Sequence, residues 1–280
     1  MKNKLITKYL LCLFCSIIQL LSYSALAQPT HEFSISGFGG LMGLNFKANH
    51  GDQKNGLGGG FGFGYQYGIN SLLGIRTGLE IAMYNSEYNW DNLIFRYMTK
   101  DVDDNDFEFR SKAKNFSETQ KATFLQIPIM LNIQINEYFF AAIGGKAGIP
   151  VSTKYKTSAV TVINSGFYAT ENYDYKTQQF LGFGTYNIPE RERELSLKTA
   201  FFLSLEGGGK FDLSETLGLY VGIYFDYGLN NIVKDSEKSH LIDYDNQNPK
   251  DFIFNSIITS EYFTKKVSPI AAGIKIRLGF

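Results

Sequence analysis

Few residues in this chain have the type and spacing to do chemistry. It contains 3 histidines, at positions 31, 50 and 240. His240 stands close to Asp243 and Asp245, and an imidazole near carboxylates is a common way to activate water. A hydrolytic site needs several groups set in space, and closeness in sequence supplies none of that geometry. The ordinary expectation for His240 is a solvated loop histidine, with a hydrolase at the rim as the distant alternative. No Gly-x-Ser-x-Gly elbow is present. The run Asp101-Val102-Asp103-Asp104-Asn105-Asp106 offers the hard oxygens a calcium ion takes. It fails as an EF-hand, because Asp106 stands at the glycine position and Lys112 at the place of the bidentate glutamate. A solvated acidic loop is the expectation. The 2 cysteines, Cys12 and Cys15, both fall in an apolar leader, so the chain beyond it has no thiol nucleophile, disulfide or thiolate metal site. We expect no enzyme, no cofactor and no metal.

Residues 1–27 combine a basic start, an apolar run from Leu10 to Leu21, and Ala25-Leu26-Ala27 before Gln28. This is the pattern of a cleaved secretory signal, and the run is shorter than the roughly 18 apolar residues of a membrane anchor. One domain, 28–280, follows. Lys plus Arg and Asp plus Glu each number 27. Removing Lys2, Lys4 and Lys8 with the leader leaves 24 against 27, a net charge of −3. No cationic surplus supports a nucleic-acid partner.

The elements that would position any site are strands. From Phe124 to Asn136, Leu125, Ile127, Ile129, Leu131, Ile133 and Ile135 alternate with Gln126, Pro128, Met130, Asn132, Gln134 and Asn136. Period two gives one greasy face and one largely polar face. The pattern returns at 73–83, 195–205, 217–226 and 273–280. A soluble sandwich would bury the greasy face. Three features favour the inverse, a barrel whose greasy face meets lipid. Connections alternate between short turns near 69–71, 136–137 and 212–215 and long loops at about 47–56, 86–119, 154–194 and 231–264, as in outer-membrane barrels. Each alternating segment supplies the roughly 9 to 11 residues that cross a bilayer as a tilted strand. Finally, Ile274, Ile276, Leu278 and the terminal Phe280 share one face, and Tyr65, Tyr67, Phe139, Phe211 and Phe280 fall where an aromatic girdle is expected.

The fold expected is therefore all-β, an eight-stranded antiparallel up-and-down transmembrane β-barrel. Its strands lie at about 32–46, 57–69, 72–85, 120–135, 138–153, 195–211, 216–230 and 265–280. Ten strands are the alternative, through a hairpin in 107–116 or 180–188. Gly58, Gly60, Gly62 and Gly64 form an inward row suited to close approach of crowded side chains. If the apolar faces meet lipid, Arg76, Glu80, Gln126, Asn132, Lys146, Lys198, Glu206, Asp226, Lys275 and Arg277 point inward. Eight strands leave an interior just wide enough for side chains, so these groups should pair across the lumen and plug it. A narrow pore is the alternative. The long loops are rich in aromatics, among them Tyr84, Tyr88, Trp90, Phe95, Tyr97, Phe167, Tyr168, Phe180 and Phe183, suited to a small cap, a binding surface, or both.

Four stretches, FLQIPIMLNI (124–133), AAIGGKAGIPV (141–151), LYVGIYFDYGLNNI (219–232) and AAGIKIRLGF (271–280), cover roughly half of the chain after the leader. In them the sequence resembles the PorT-like outer-membrane β-barrel proteins of Bacteroidetes, related in architecture to the OmpA and OmpX type. That resemblance implies a cell outer membrane location, contact with outer-membrane lipid and lipopolysaccharide, and no established catalytic residue. The terminal strand ending in Phe280 resembles the signal by which outer-membrane assembly machinery recognises barrels. No peptidoglycan-binding domain of the OmpA type is expected. The function expected is structural or surface-interacting, with an extracellular or secretion partner engaged through the loops; a small channel or a secretion and gliding component is the alternative.

Overall fold

The structure is a computed structural model that describes residues 30–48, 50–250, 254–260 and 262–280. The leader expected at 1–27 lies outside the described residues. Among the described residues there are eleven strands: β1 (Thr30–Ala48), β2 (Asp52–Asn55), β3 (Leu57–Gly68), β4 (Leu73–Lys100), β5 (Asp106–Gln134), β6 (Phe139–Tyr168), β7 (Tyr173–Tyr175), β8 (Gly184–Glu194), β9 (Ala200–Asp212), β10 (Gly218–Gly228) and β11 (Thr264–Gly279). Eight of them close a ring in the order β1, β3, β4, β5, β6, β9, β10, β11, all antiparallel. Closure comes from β1 against β11, paired from Ser34 with Gly279 up to Phe46 with Val267. The other three are accessory, β2 lying on β4 and both β7 and β8 on β6. The barrel thus has eight strands, not ten.

The three short turns share one construction. Asn70 Oδ1 accepts the amides of Leu72 and Leu73 at 2.8 and 2.6 Å, Asn136 Oδ1 those of Tyr138 and Phe139 at 2.9 Å each, and Ser214 Oγ that of Leu217 at 3.1 Å. A side chain that caps its own backbone makes a tight turn cheaply. All three turns lie at the barrel end that also holds Thr30 and Phe280.

At the other end the expected loop 86–119 is mostly strand. β4, β5 and β6 run for 28, 29 and 30 residues and carry the wall far beyond the apolar band. Two irregularities turn its faces. Phe124 pairs with Pro150 and Thr123 with Ser152, which leaves Val151 as the extra residue of a bulge. Asn115 takes a left-handed φ of 51°. Beyond Val151 the inward residues of β6 become Tyr155, Thr157 and Ala159, all buried.

The outward face of the lower barrel is apolar and open. Leu57, Phe63, Ile129 and Ile223 are 75, 66, 65 and 71% exposed. Inside, the glycine row makes room for its neighbours: a Cβ on Gly60 would sit 2.5 Å from the Phe38 ring and 2.1 Å from the Ile81 carbonyl oxygen, and one on Gly58 would sit 2.7 Å from Met42 Cβ. Only glycine lets these inward side chains cross the β3 wall.

Candidate functional site

The turn end of the lumen holds a continuous ion-pair network. Arg76 pairs with Glu206, and Lys275 Nζ joins Glu206 to Glu80 at 2.8 and 2.6 Å. Lys146 Nζ then joins Glu80 to Asp226 at 3.0 and 2.9 Å, and the Ser204 hydroxyl donates to Asp226 at 2.7 Å. These groups come from β4, β6, β9, β10 and β11, so the network ties five of the eight wall strands together across the interior. Nearer the turns, Arg277 pairs with Glu32 at 2.9 Å and lies 3.7 Å above the Tyr220 ring, whose hydroxyl donates to Glu32 at 2.6 Å. Asn132 donates to Gln66 at 2.6 Å, and Gln126 to the Tyr84 hydroxyl at 3.0 Å. Four cations therefore face four carboxylates. Balance of this kind is what allows charge in a low-dielectric interior, because each unpaired ion would cost several kcal/mol, on the order of 3 to 5.

Nine of the ten residues expected in the lumen are buried there, and Lys198 is not. Its side chain is 40% exposed and bridges Asp235 at 2.9 Å. The physical reason is that the alternation does not run through residues 195–199: β9 begins only at Ala200, while Leu195 and Leu197 leave the sheet to bury themselves in the upper core, Leu197 bridging to Val233. Ser204 and Tyr220 belong to the lumen on the inward parity of their strands, and Glu32 and Gln66 belong to it without being among the expected inward residues. Glu32 was detectable, since it alternates with Phe33 and Ile35 on a strand whose other face is apolar.

Above the network the interior changes character. Phe38 packs edge-on against Tyr224 with ring centres 5.6 Å apart, and Tyr84 edge-on against Phe124 at 5.5 Å. Met42, Leu44, Phe46, Tyr88 and Phe116 follow toward the long-loop end, all buried. Segment 254–260 descends into this mouth, where Phe254, Ile257 and Ile258 are buried and Phe254 packs on Phe116 at 5.4 Å. The lumen expected to be polar is polar in its turn-side half and aromatic above it, because the same inward parity of β1, β4, β5 and β10 that carries the polar groups is held farther up by Phe38, Tyr84, Phe124 and Tyr224.

The plug segment is fastened to the wall by the Tyr155 hydroxyl, which donates to the Phe254 carbonyl at 3.2 Å, by Thr264, whose hydroxyl donates to the Ile257 carbonyl at 2.9 Å, and by one carboxylate. Glu118, on the part of β5 beyond the apolar band, accepts the Ser256 hydroxyl at 2.5 Å, the Ile257 amide at 2.8 Å and the Gln120 side-chain amide at 2.7 Å. Burial pushes its carboxyl up to about 7, and the bonds from Ser256, Gln120 and Ile257 offset only part of that rise.

The other loop candidates resolve into structural roles. The His240 ring stacks on Tyr97 at 3.7 Å, while Asp243 accepts the backbone amide of His240 at 3.2 Å and the Asn255 side chain at 2.6 Å. Asp245 accepts the Gln247 amide at 2.8 Å. Neither carboxylate holds the imidazole in the way a general base is held. Asp101 is no solvated member of an acidic loop: Oδ1 accepts the amides of Asp103 and Asn105 at 2.9 Å each, and Oδ2 accepts the Tyr168 hydroxyl at 3.0 Å. Burial would raise its carboxyl, yet the bonds from Asn105, Tyr168 and Asp103 outweigh burial and hold it below the ordinary value. Its oxygens are occupied by its own turn and by Tyr168 of β6, and Asp104 takes a φ of 63° to complete the turn. The loop aromatics close the cap, with Phe107 stacked on Tyr168 at 5.1 Å and edge-on to Tyr244 at 5.0 Å. Between the tip of the β4–β5 hairpin and the last loop an open pocket of about 550 Å³ is floored by the Tyr97–His240 stack and flanked by Arg96, Lys238 and Phe263. Phe280, expected as an assembly signal, is exposed at the turn end, and its amide and carbonyl both pair with Phe33.

No protein-family model matches the chain, and no curated protein does. Among solved structures it is similar to Ail, the attachment invasion locus protein of Yersinia pestis, in complex with the heparin analogue sucrose octasulfate, at 12% identity over 89% of this chain and 99% of that one, with a TM-score of 0.35. Neisserial surface protein A is similar at 9% identity over 90% and 99%, with a TM-score of 0.33. A major outer membrane protein from Thermus thermophilus is similar at 12% identity over 90% and 100%, with a TM-score of 0.37. The assignment of an eight-stranded antiparallel β-barrel stands on the strand pairing itself.

Proposed function

We propose that this chain is an outer-membrane barrel with an occluded lumen that acts as a structural and surface-interaction protein, displaying a folded cap to the exterior. The observation that carries the location is the inverted surface: around the wall the apolar alternating face points out, as at Phe63, Ile129, Ile143, Leu203, Ile223 and Ile276, while the charges of six wall strands, the glycines of β3 and the amides of β5 point in. A soluble protein seldom exposes apolar patches beyond a few hundred Å², whereas a lipid-facing band about 25 Å tall is the signature of a membrane barrel. With the termini and short turns on the periplasmic side, the extended hairpins stand outside. Occlusion follows from what fills the interior: the balanced ion-pair network, the aromatic layer over it, and segment 254–260 in the mouth. A non-enzymatic role accords with the structural use made of His240, Asp243 and Asp101.

The partner is engaged through the cap, where the rim pocket over the Tyr97–His240 stack offers an aromatic floor with polar edges, a composition favoured at recognition surfaces. Around the band the wall contacts outer-membrane lipid and lipopolysaccharide, and Phe280 is presented to the assembly machinery. Membrane fractionation, gel mobility before and after boiling, and planar-bilayer recording test these points together. Recovery in the outer-membrane fraction, faster migration before boiling and an absence of conductance steps are expected. A soluble periplasmic protein without a mobility shift would refute the barrel in a membrane, and sustained unitary conductance would refute occlusion and favour the small-channel alternative.

A further inference from the structure

The plug is attached to the wall through an unusual contact. Glu118 is completely buried and receives three hydrogen bonds, two of them from the plug itself through Ser256 and Ile257, yet no cation pairs with it among the described residues. In the lumen network below, by contrast, each carboxylate meets Lys or Arg. The titratable groups facing Glu118 are Tyr88 on β4, its register partner, and Tyr155 on β6. Tyr155 lies within the influence of Arg193 and Glu237, and Tyr88 within that of Asp52. The plug contributes only neutral donors. A buried carboxylate without a cation carries a desolvation cost in its charged form that hydrogen bonds do not cancel.

A neighbouring orphan shows how the neutral form is accommodated. Gln120 donates its amide to Glu118 while its own Oε1 is buried without a partner. When Glu118 is protonated, its hydroxyl can donate to Ser256 Oγ or, after a flip of the Gln120 amide, to Gln120 Oε1. The neutral acid therefore keeps as many hydrogen bonds as the carboxylate, with one buried Gln120 atom unpaired in either form, and the assignment of Gln120 oxygen and nitrogen is the element that exchanges.

We infer that Glu118 is a proton-operated latch: the plug formed by 254–260 is held in the external mouth when Glu118 is protonated and is loosened when the carboxylate ionises. The sign follows from linkage. A carboxyl raised to about 7 when the plug is seated, and returned to the ordinary value near 4.5 when it is exposed, favours the seated state fully below the ordinary value. That advantage is lost progressively as pH rises toward the raised one, with a plateau above it. Loosening would uncover the aromatic lining at Phe116, Tyr88 and Tyr155 to the exterior while the ion-pair network below keeps the lumen shut.

The test is hydrogen exchange of the full-length protein in lipid nanodiscs between pH 5 and pH 8, corrected for intrinsic exchange rates, following the amides of 254–260 against those of the barrel strands. Opening of the plug should rise by up to about two orders of magnitude over that range with the barrel amides unchanged, and Glu118→Gln should remain protected and pH-independent. A wild-type plug whose protection is flat with pH, or a Glu118→Gln variant that keeps the pH dependence, overturns the inference. Should Glu118→Gln not fold, titration of the Glu118 carboxyl in the wild type by carbon-13 NMR decides instead. A midpoint near 7 supports the latch, and one below 5 overturns it. These readouts follow the plug alone, so their failure is distinct from failure of the barrel to insert or to stay closed.

Discussion

Replacement of Lys146 by methionine removes one cation from the middle of the lumen network at nearly constant side-chain length. Lys146 Nζ lies 3.0 Å from Glu80 and 2.9 Å from Asp226, with its own side chain 1% exposed. Without it Asp226 keeps only the Ser204 hydroxyl, Glu80 keeps only Lys275, and the lumen changes from four cations facing four carboxylates to three facing four. Breaking one partner out of a buried pair costs about 3 to 5 kcal/mol, because an uncompensated charge remains. Lys198→Met is the matched control. That lysine was expected on the same lumen face but stands outside with Asp235, so its loss should leave the unfolding midpoint where it is. Equilibrium urea unfolding in lipid vesicles, followed by Trp90 fluorescence and gel mobility, measures both. The double variant Lys146→Met with Asp226→Asn restores three against three and should cost less than the sum of the singles by about 0.5 to 3 kcal/mol. A Lys146 variant that unfolds within about 1 kcal/mol of wild type, or no differently from the Lys198 variant, would refute the account of the lumen as a coupled network.

Gly60→Val should reduce the heat-modifiable, folded fraction on gels, since its branched side chain must displace the Phe38 ring and the β4 backbone, at a cost of about 1 to 3 kcal/mol or more. Asp101→Ala should lower the exchange protection of the Asp103 and Asn105 amides roughly tenfold without altering barrel mobility on gels. Because the Asp101 carboxyl is held below its ordinary value, its contribution to the β4–β5 tip is present above that value and fades as pH falls through the depressed one. An acid-insensitive tip in hydrogen exchange would contradict that assignment.

Much of the barrel was legible because period-two alternation states which residues share a face, and an uninterrupted strand carries that information across its whole length. Arg76, Glu80, Glu206, Asp226, Lys275 and Arg277 follow directly from such alternation. Legibility failed where the strand was interrupted. Lys198 has the right parity but precedes the start of β9, and the Val151 bulge exchanges the faces of β6 so that Tyr155 and Thr157 point inward. Nothing local distinguishes a residue on a strand from one just off its end. The expected loop at 86–119 proved to be mostly strand: its outward face carries polar and charged residues such as Glu87, Lys112 and Lys114, as suits a wall standing in water, and its inward apolar residues Tyr88, Leu93, Phe95, Phe107, Phe109 and Phe116 change parity between 88 and 93 and again near Asn115, so no single uninterrupted alternation marks the sheet.

By itself the sequence determined the fold class, the short-turn end and most of the lumen charges, while eight against ten strands stayed open. Those properties depend on near-neighbour patterning along the chain. Only the tertiary structure decided which charges meet, that the long loops close into an aromatic cap, and that Glu118 lies buried against Ser256 and Ile257, 138 and 139 residues away. Closing the ring is what brings β4, β6, β9, β10 and β11 across one narrow interior, and a carboxylate on an outwardly unremarkable stretch of β5 acquires its environment only when a distant segment folds over it.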